Sequence, residues 1–295
     1  MKTRWKQFLL AFTFVSAAIP LFSQSKGIDP ALLGKATAGD AESECRVGQM
    51  YAKGDRVGQD FTQAAAWYSK AADQGLAQAQ YELGLLAQSG QGVPQSDAQA
   101  AAWFRKAAEQ GLAAAELSLG GLYDHGQGVA QDYAQAAVWY RKAALQGNAA
   151  AQFNLGTYYE LGDGVPQDYA QAADLYLHAA RQGHAAAQFN LGLLYDNGTG
   201  VAQDRAQAAL WYNKAADQGL ARAQYNLGSL FAQGQGVPQS YTEAYFWLSL
   251  AASTWNGVRQ QQAAQARDTV AARLSPAELF NAQQRAQTWL NAHQK

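Results

Sequence analysis

Cys45 is the only cysteine in the chain, so no intramolecular disulfide can form and stability must come from packing. Proline is scarce too, at 6 of 295 residues, while alanine and glutamine abound; this balance fits packed short helices and excludes a proline-rich disordered chain. Excess charge of one sign is also missing. The 22 lysines and arginines face 23 acids, a formal net charge of −1, which leaves no source for the basic face that phosphate backbones require. The four histidines, His125, His178, His184 and His293, form no H-E-x-x-H pair, so the zinc signature of a metalloprotease is absent. After residue 25 no apolar run approaches the ~20 residues needed to span a bilayer.

The first 25 residues differ in kind from the rest. Lys2, Arg4 and Lys6 precede an apolar run at 8–19, Pro20 breaks it, and the small polar residues Ser23, Gln24 and Ser25 follow. This is the pattern of a secretory signal, with cleavage expected after Ser23 or Ser25. An uncleaved membrane anchor is the competing reading, and the shortness of the run argues against it. Without Lys2, Arg4 and Lys6 the chain carries 19 bases against 23 acids. The expected location is therefore exported, periplasmic or secreted from a bacterium.

What is present is a repeat. Trp67, Trp103, Trp139, Trp211 and Trp247 fall on one grid of 36 residues, broken only by Leu175; Gly75, Gly111, Gly147, Gly183 and Gly219 make a second column, and Gly48, Gly84, Gly120, Gly156, Gly192 and Gly228 a third. A fixed period of roughly 20–50 residues signals stacked units and excludes a globule built around one central cleft. Within the unit 147–183, Ala151, Leu155 and Tyr158 recur at spacings of four and three, the mark of one buried face on a first helix, A. Gly162 and Gly164 then permit positive φ, Val165 gives the loop an apolar anchor, and Asp168 stands at the N-cap of a second helix, B. The Asp168 column reads Asp60, Ser96, Asp132, Asp168, Asp204 and Ser240, and every member can accept a bond from an orphan backbone N–H. Helix B carries Ala172, Tyr176 and Ala179 on one face and ends at Gly183. Neither helix can bury its stripe alone, so neighbouring copies must stack; the tryptophans are read as core between units.

The tract AQFNLGTYYELGDGVPQDYAQAADLYLHAARQGHA with its G-x-G-V loop, together with the A-x-A-x-x-x-L-G-x-x-Y helix and W-Y-x-K-A-A-x-x-G ending of the neighbouring unit, resembles the Sel-one-like repeat (SLR) family, relatives of the tetratricopeptide repeats. The resemblance covers about 31–255, with six A segments from 41–52 to 221–232 and six B segments from 60–73 to 240–253. It implies an all-α fold, a right-handed superhelical α/α solenoid of helix pairs. The expected division is a signal at 1–25, an array with an N-terminal capping helix at 26–255, and C-terminal capping helices at 256–295. Trp255 stands where the glycine column would continue, so the periodicity stops there. Helices are expected at 257–274 and 276–293, the second capped by Ser275 with Pro276 in its first turn and Glu278 completing a capping box.

Catalytic motifs fail on context. The GQGVPQ-type loops follow helices and lack the lysine of a phosphate loop, and Ser23-Gln24-Ser25-Lys26 matches S-x-x-K only across the expected cleavage site. The cysteine-rich secreted branch of the resembled family is associated with penicillin binding or β-lactam hydrolysis, but its members carry a cysteine pair in each repeat. A hydrolase acting on β-lactam or cell-wall substrates is accordingly the alternative reading. The main one is a non-enzymatic scaffold or adaptor, a monomer without cofactor or metal, that binds a partner protein or extended peptide and no nucleic acid. The resemblance implies that the A helices line a concave face. Its polar, varying positions are the candidates: Glu82, Ser118, Asn154, Asn190 and Asn226 in one column, Arg222 in a neighbouring column of mostly small residues, and Asp124, Glu160 and Asp196 at the far end of the same helices, suited to a basic partner. Asparagine amides at one-unit spacing can pair with an extended backbone; bonding within the repeat is the other role open to them. Cys45, in a column of large apolar residues, is read as a buried small hydrophobe, with a redox-active exposed thiol as the alternative. His178 replaces the lysine of Lys70, Lys106, Lys142 and Lys214 and is read as a solvated basic position.

Overall fold

The computed structural model describes residues 27–293, so the expected export signal at 1–25 lies outside the described residues. Those residues form fifteen helices and no strand: α1 (Pro30–Thr37), then six pairs, α2 (Ala41–Lys53) with α3 (Phe61–Asp73), α4 (Ala77–Ser89) with α5 (Asp97–Glu109), α6 (Ala113–His125) with α7 (Tyr133–Leu145), α8 (Ala149–Leu161) with α9 (Tyr169–Arg181), α10 (Ala185–Asn197) with α11 (Arg205–Asp217), and α12 (Ala221–Gln233) with α13 (Tyr241–Thr254). Two closing helices follow, α14 (Gly257–Ala271) and α15 (Pro276–His293). The even-numbered helices through α12 are the A helices and their odd-numbered partners the B helices. Each packs on the helix before and after it in the chain, the arrangement of an α/α solenoid in which every unit leans on its neighbours. No described helix is long and apolar enough to cross a membrane.

Local chemistry sets the helix ends. Asp168 Oδ1 accepts from the backbone N–H of Ala170 and Gln171 at 2.9 and 3.0 Å, and these bonds, that to Gln171 foremost, hold its carboxyl below the usual range. Asp60, Ser96, Asp132, Asp204 and Ser240 cap their helices in the same way. In α15, Glu278 accepts from the Ser275 N–H at 2.8 Å and Ser275 Oγ accepts from the Glu278 N–H at 3.3 Å, completing the capping box. Helix α14 is shorter than expected from sequence, ending at Ala271 before a turn.

The deepest aromatic column lies one residue beyond the tryptophans. Tyr68, Phe104, Tyr140, Tyr176 and Tyr212 are essentially inaccessible. Each ring presses on the glycine of its own unit's A helix: a Cβ built on Gly156 would lie 2.8 Å from the Tyr176 ring, and one on Gly84 2.4 Å from Phe104. That close approach is what the Gly156 column supplies. The tryptophans lie at the seam between units, Trp139 sharing a core with Ala108 of the preceding unit and Leu119 of its own, and Trp211 one with Ala180 of the preceding unit and Leu191 of its own. Trp139, Trp211 and Trp247 are buried, whereas Trp67 and Trp103 are only half-buried. The expectation of a uniformly buried tryptophan column is corrected there, although Lys70 and Lys106 Nζ stand 4.1 and 4.2 Å from the ring centroids as lysines also do over the buried Trp139 and Trp211.

A buried polar seam also ties unit to unit. Gln80, Gln152, Gln188 and Gln224 each donate from Nε2 to the carbonyl of Ala72, Ala144, Ala180 or Ala216, at the end of the preceding B helix. Gln110, Gln182 and Gln218 donate in turn to the Oε1 of Gln80, Gln152 and Gln188 at 2.7–2.9 Å. Where the array stops, Thr254 replaces the donor, and Gln224 Oε1 is left buried without a partner.

Glu116 sits in this column in the third unit, 3% exposed, accepting from Gln146 Nε2 at 2.8 Å. Burial raises its pKa against the opposing pull of Lys142 and the Gln146 bond. A raised carboxyl pKa means that stability is full at acid pH and falls as pH climbs through the folded value. Glu116→Gln, which restores the neighbours' residue, is therefore expected to stabilise the chain by about 1 kcal/mol at neutral pH and by little at pH 4. Urea titrations at the two pH values check this; equal gains at both would show that the carboxylate is not at fault.

Candidate partner-binding face

The candidate residues lie on the A helices at a step of one unit. Glu82, Ser118, Asn154, Asn190 and Asn226 are all half-buried. Glu82 is engaged inside its own helix, accepting from Gln78 Nε2 at 2.8 Å. Each of the three asparagines stands near a buried tyrosine of the preceding B helix: Asn154 near Tyr140, Asn190 near Tyr176 and Asn226 near Tyr212. An amide with two N–H groups and a carbonyl has the capacity to engage a partner in this position.

The acids at the far end of the same helices meet those tyrosines. Asp124 accepts from the Tyr158 hydroxyl at 2.6 Å and from Tyr140 at 3.4 Å. Glu160 accepts from Tyr176 at 2.5 Å, where Thr157 Oγ1 also approaches the hydroxyl at 3.1 Å. Asp196 accepts from Tyr212 at 3.4 Å and pairs with Arg205 Nε at 3.3 Å. Burial and these carboxylates push the Tyr140, Tyr158, Tyr176 and Tyr212 hydroxyls far up, so all four stay protonated donors at neutral pH. The carboxylate thus accompanies Tyr140, Tyr176 and Tyr212; the same position is Gln88 beneath Phe104 and Ala52 beneath Tyr68. This structural duty was invisible as a motif, although the 16-residue offset between acid and tyrosine is readable once both columns are aligned.

Asp196 and Asn226 come together in one polar groove of about 390 Å³ between α10 and α12, with Arg205 and Ser229 beside them. Arg222 is exposed in the first turn of α12 and does not line that groove. Among the described residues no cluster of three or more His, Cys, Asp and Glu side chains is placed to hold a metal. Cys45 is buried, and burial together with the Glu82 carboxylate pushes its thiol up to about 11, so it is not a thiolate at neutral pH.

The Sel1 repeat pattern matches residues 41–76, 77–112, 113–148, 149–184, 185–220 and 221–253, and the chain belongs to the Sel1 repeat family. A Sel1 repeat protein from Oxalobacter formigenes, known from its crystal structure, is 38% identical, the match covering 77% of this chain and 91% of that one with a TM-score of 0.66. A second solved structure, c5321, described as a protective antigen present in uropathogenic Escherichia coli strains and displaying an SLR fold, is 25% identical over 88% of this chain and 86% of its own, with a TM-score of 0.36. No curated protein matches the chain.

Proposed function

We propose that the chain is an exported, non-enzymatic scaffold that holds an extended stretch of a partner polypeptide along its A helices, on the concave side of the solenoid. The observation that carries this reading is the row Asn154, Asn190 and Asn226: three half-buried amides, one per unit, each near a buried tyrosine. Amides repeated along a line pair with successive peptide groups of an extended chain. The acids Asp124, Glu160 and Asp196, beside them, favour a basic segment. Export rests on the basic start, the short apolar run and Pro20 of the first 25 residues.

The test is a capture experiment with residues 26–295 immobilised and extract from the source cells. The triple variant Asn154→Ala, Asn190→Ala, Asn226→Ala is expected to lose captured partner by at least about tenfold while its circular dichroism stays unchanged. Loss of helicity in the triple variant would assign the asparagines to the scaffold alone. Turnover of nitrocefin by the purified protein would overturn the non-enzymatic assignment.

A further inference from the structure

The fourth unit lacks its plug. The other five units carry a tryptophan there, which in all but the first lies at the seam to the preceding unit, and in four of the five a lysine ammonium lies over the indole, at 4.1 Å for Lys70, 4.2 Å for Lys106, 3.8 Å for Lys142 and 4.3 Å for Lys214. The fourth unit has Leu175 and His178 at these two positions. The seat itself is unchanged. In the third unit Trp139 packs on Ala108 and Leu119, beside a wall in which Arg105 donates to the Tyr123 hydroxyl at 2.6 Å. One unit later the floor is Ala144 and Leu155, and Arg141 donates to Tyr159 at 2.8 Å. With only Leu175 reaching in, an open groove of about 710 Å³ remains between α7 and α9.

Two further departures fall on the same groove. Asp174 replaces Ala66, Ala102, Val138, Leu210 and Phe246 of the other units, and its carboxylate is largely exposed. Leu145 stands where the other units carry Asp73, Glu109, Arg181, Asp217 and Ser253, and it is 83% exposed on the rim. The neighbours thus show what completes such a seat: an aromatic ring with a cation over it. Here the ring is missing, His178 stands in the lysine's place with its Nε2 3.7 Å from Asp174 Oδ1, and an acid and an apolar rim have been added.

We propose that this groove takes an aromatic side chain flanked by a basic residue, presented by a partner polypeptide. The ring rests on Ala144, Leu155 and Leu175, the cation meets Asp174, and the segment beside the ring covers Leu145. A polypeptide fits better than a free small molecule because the groove is open and its apolar surface continues past the seat onto that leucine. The site shares no residue with the asparagine row and stands independently of it.

The test uses the full chain and an acetylated, amidated Gly-Lys-Trp-Gly peptide carrying 5-fluorotryptophan, followed by fluorine NMR so that the protein's own indoles stay silent. The expected result is saturable binding, kept by the triple asparagine variant and weakened at least about tenfold by Leu175→Trp, which fills the seat from within. Asp174→Ala, at an exposed position where two other units carry alanine, is expected to weaken the lysine peptide about threefold or more and a Gly-Gly-Trp-Gly control hardly at all. A wild-type chain that binds no peptide, or equal binding by Leu175→Trp folded to wild-type helicity, would overturn the site. Should Leu175→Trp fail to fold, equal binding of the lysine peptide by Asp174→Ala overturns it. Free 5-fluorotryptamine binding more tightly than the peptide would overturn the polypeptide as occupant.

Discussion

Gly164→Ala is expected to destabilise the array by roughly 3 kcal/mol, against about 1 kcal/mol for Gly147→Ala. Both glycines have positive φ, +67° and +85°, so both substitutions meet the same intrinsic backbone penalty. They differ in what surrounds them. A Cβ on Gly147 would touch nothing within 4 Å, whereas one on Gly164 would lie 2.3 Å from the Tyr133 carbonyl carbon and 2.5 Å from the Ala134 nitrogen. Those atoms are main chain at the start of α7, in the preceding unit, and cannot swing aside as a side chain would. The loop of one unit is thereby docked directly on the helix start of the previous one. Urea unfolding of the two variants measures the difference, and the Gly164 lesion should also broaden or split the transition, because each unit is stabilised only by its neighbours. Equal losses for the two variants would show that the loop does not carry unit-to-unit contact.

Tyr176→Ala is expected to cost about 3–5 kcal/mol and Tyr176→Phe about 1–2 kcal/mol. The ring is wholly buried against Gly156, so truncation opens a cavity that α8 cannot fill with a glycine at the contact. Phenylalanine keeps the ring but strands Glu160, whose carboxylate loses the 2.5 Å bond from the hydroxyl. Phe104 shows that the seat accepts a plain ring where Gln88 replaces the acid, so adding Glu160→Gln to Tyr176→Phe should recover part of the loss. Thermal melts of the two single variants and the double variant check both claims. A phenylalanine variant as unstable as the alanine one would mean that the hydrogen bond, and not the packing, dominates.

The helix pairs, their caps and the loop glycines were legible because each is set by local chemistry at a fixed offset: Asp168 caps the helix it precedes, and Gly162 and Gly164 turn the chain beside it. A one-dimensional stack makes most contacts between near neighbours in sequence, so a repeated pattern already determines which face of each helix is buried. The family followed from those same columns. The partner-binding row was legible only as a list of varying polar positions, since nothing in a string of residues shows that Asn154, Asn190 and Asn226 each stand near a buried tyrosine. The same holds for Asp124, Glu160 and Asp196, whose place beneath Tyr140, Tyr176 and Tyr212 depends on how B leans on A.

The chain's sequence by itself determined a solenoid of six like units, because period, caps and apolar spacing act within one unit or between adjacent ones. Only the tertiary structure decided that the tyrosines lie deeper than the tryptophans, that Glu116 is shut inside a glutamine seam, and that the change from tryptophan to Leu175 leaves a groove. Each of these depends on the distance between surfaces brought together by stacking, and that distance is set by side chains some 16 to 36 positions apart acting jointly.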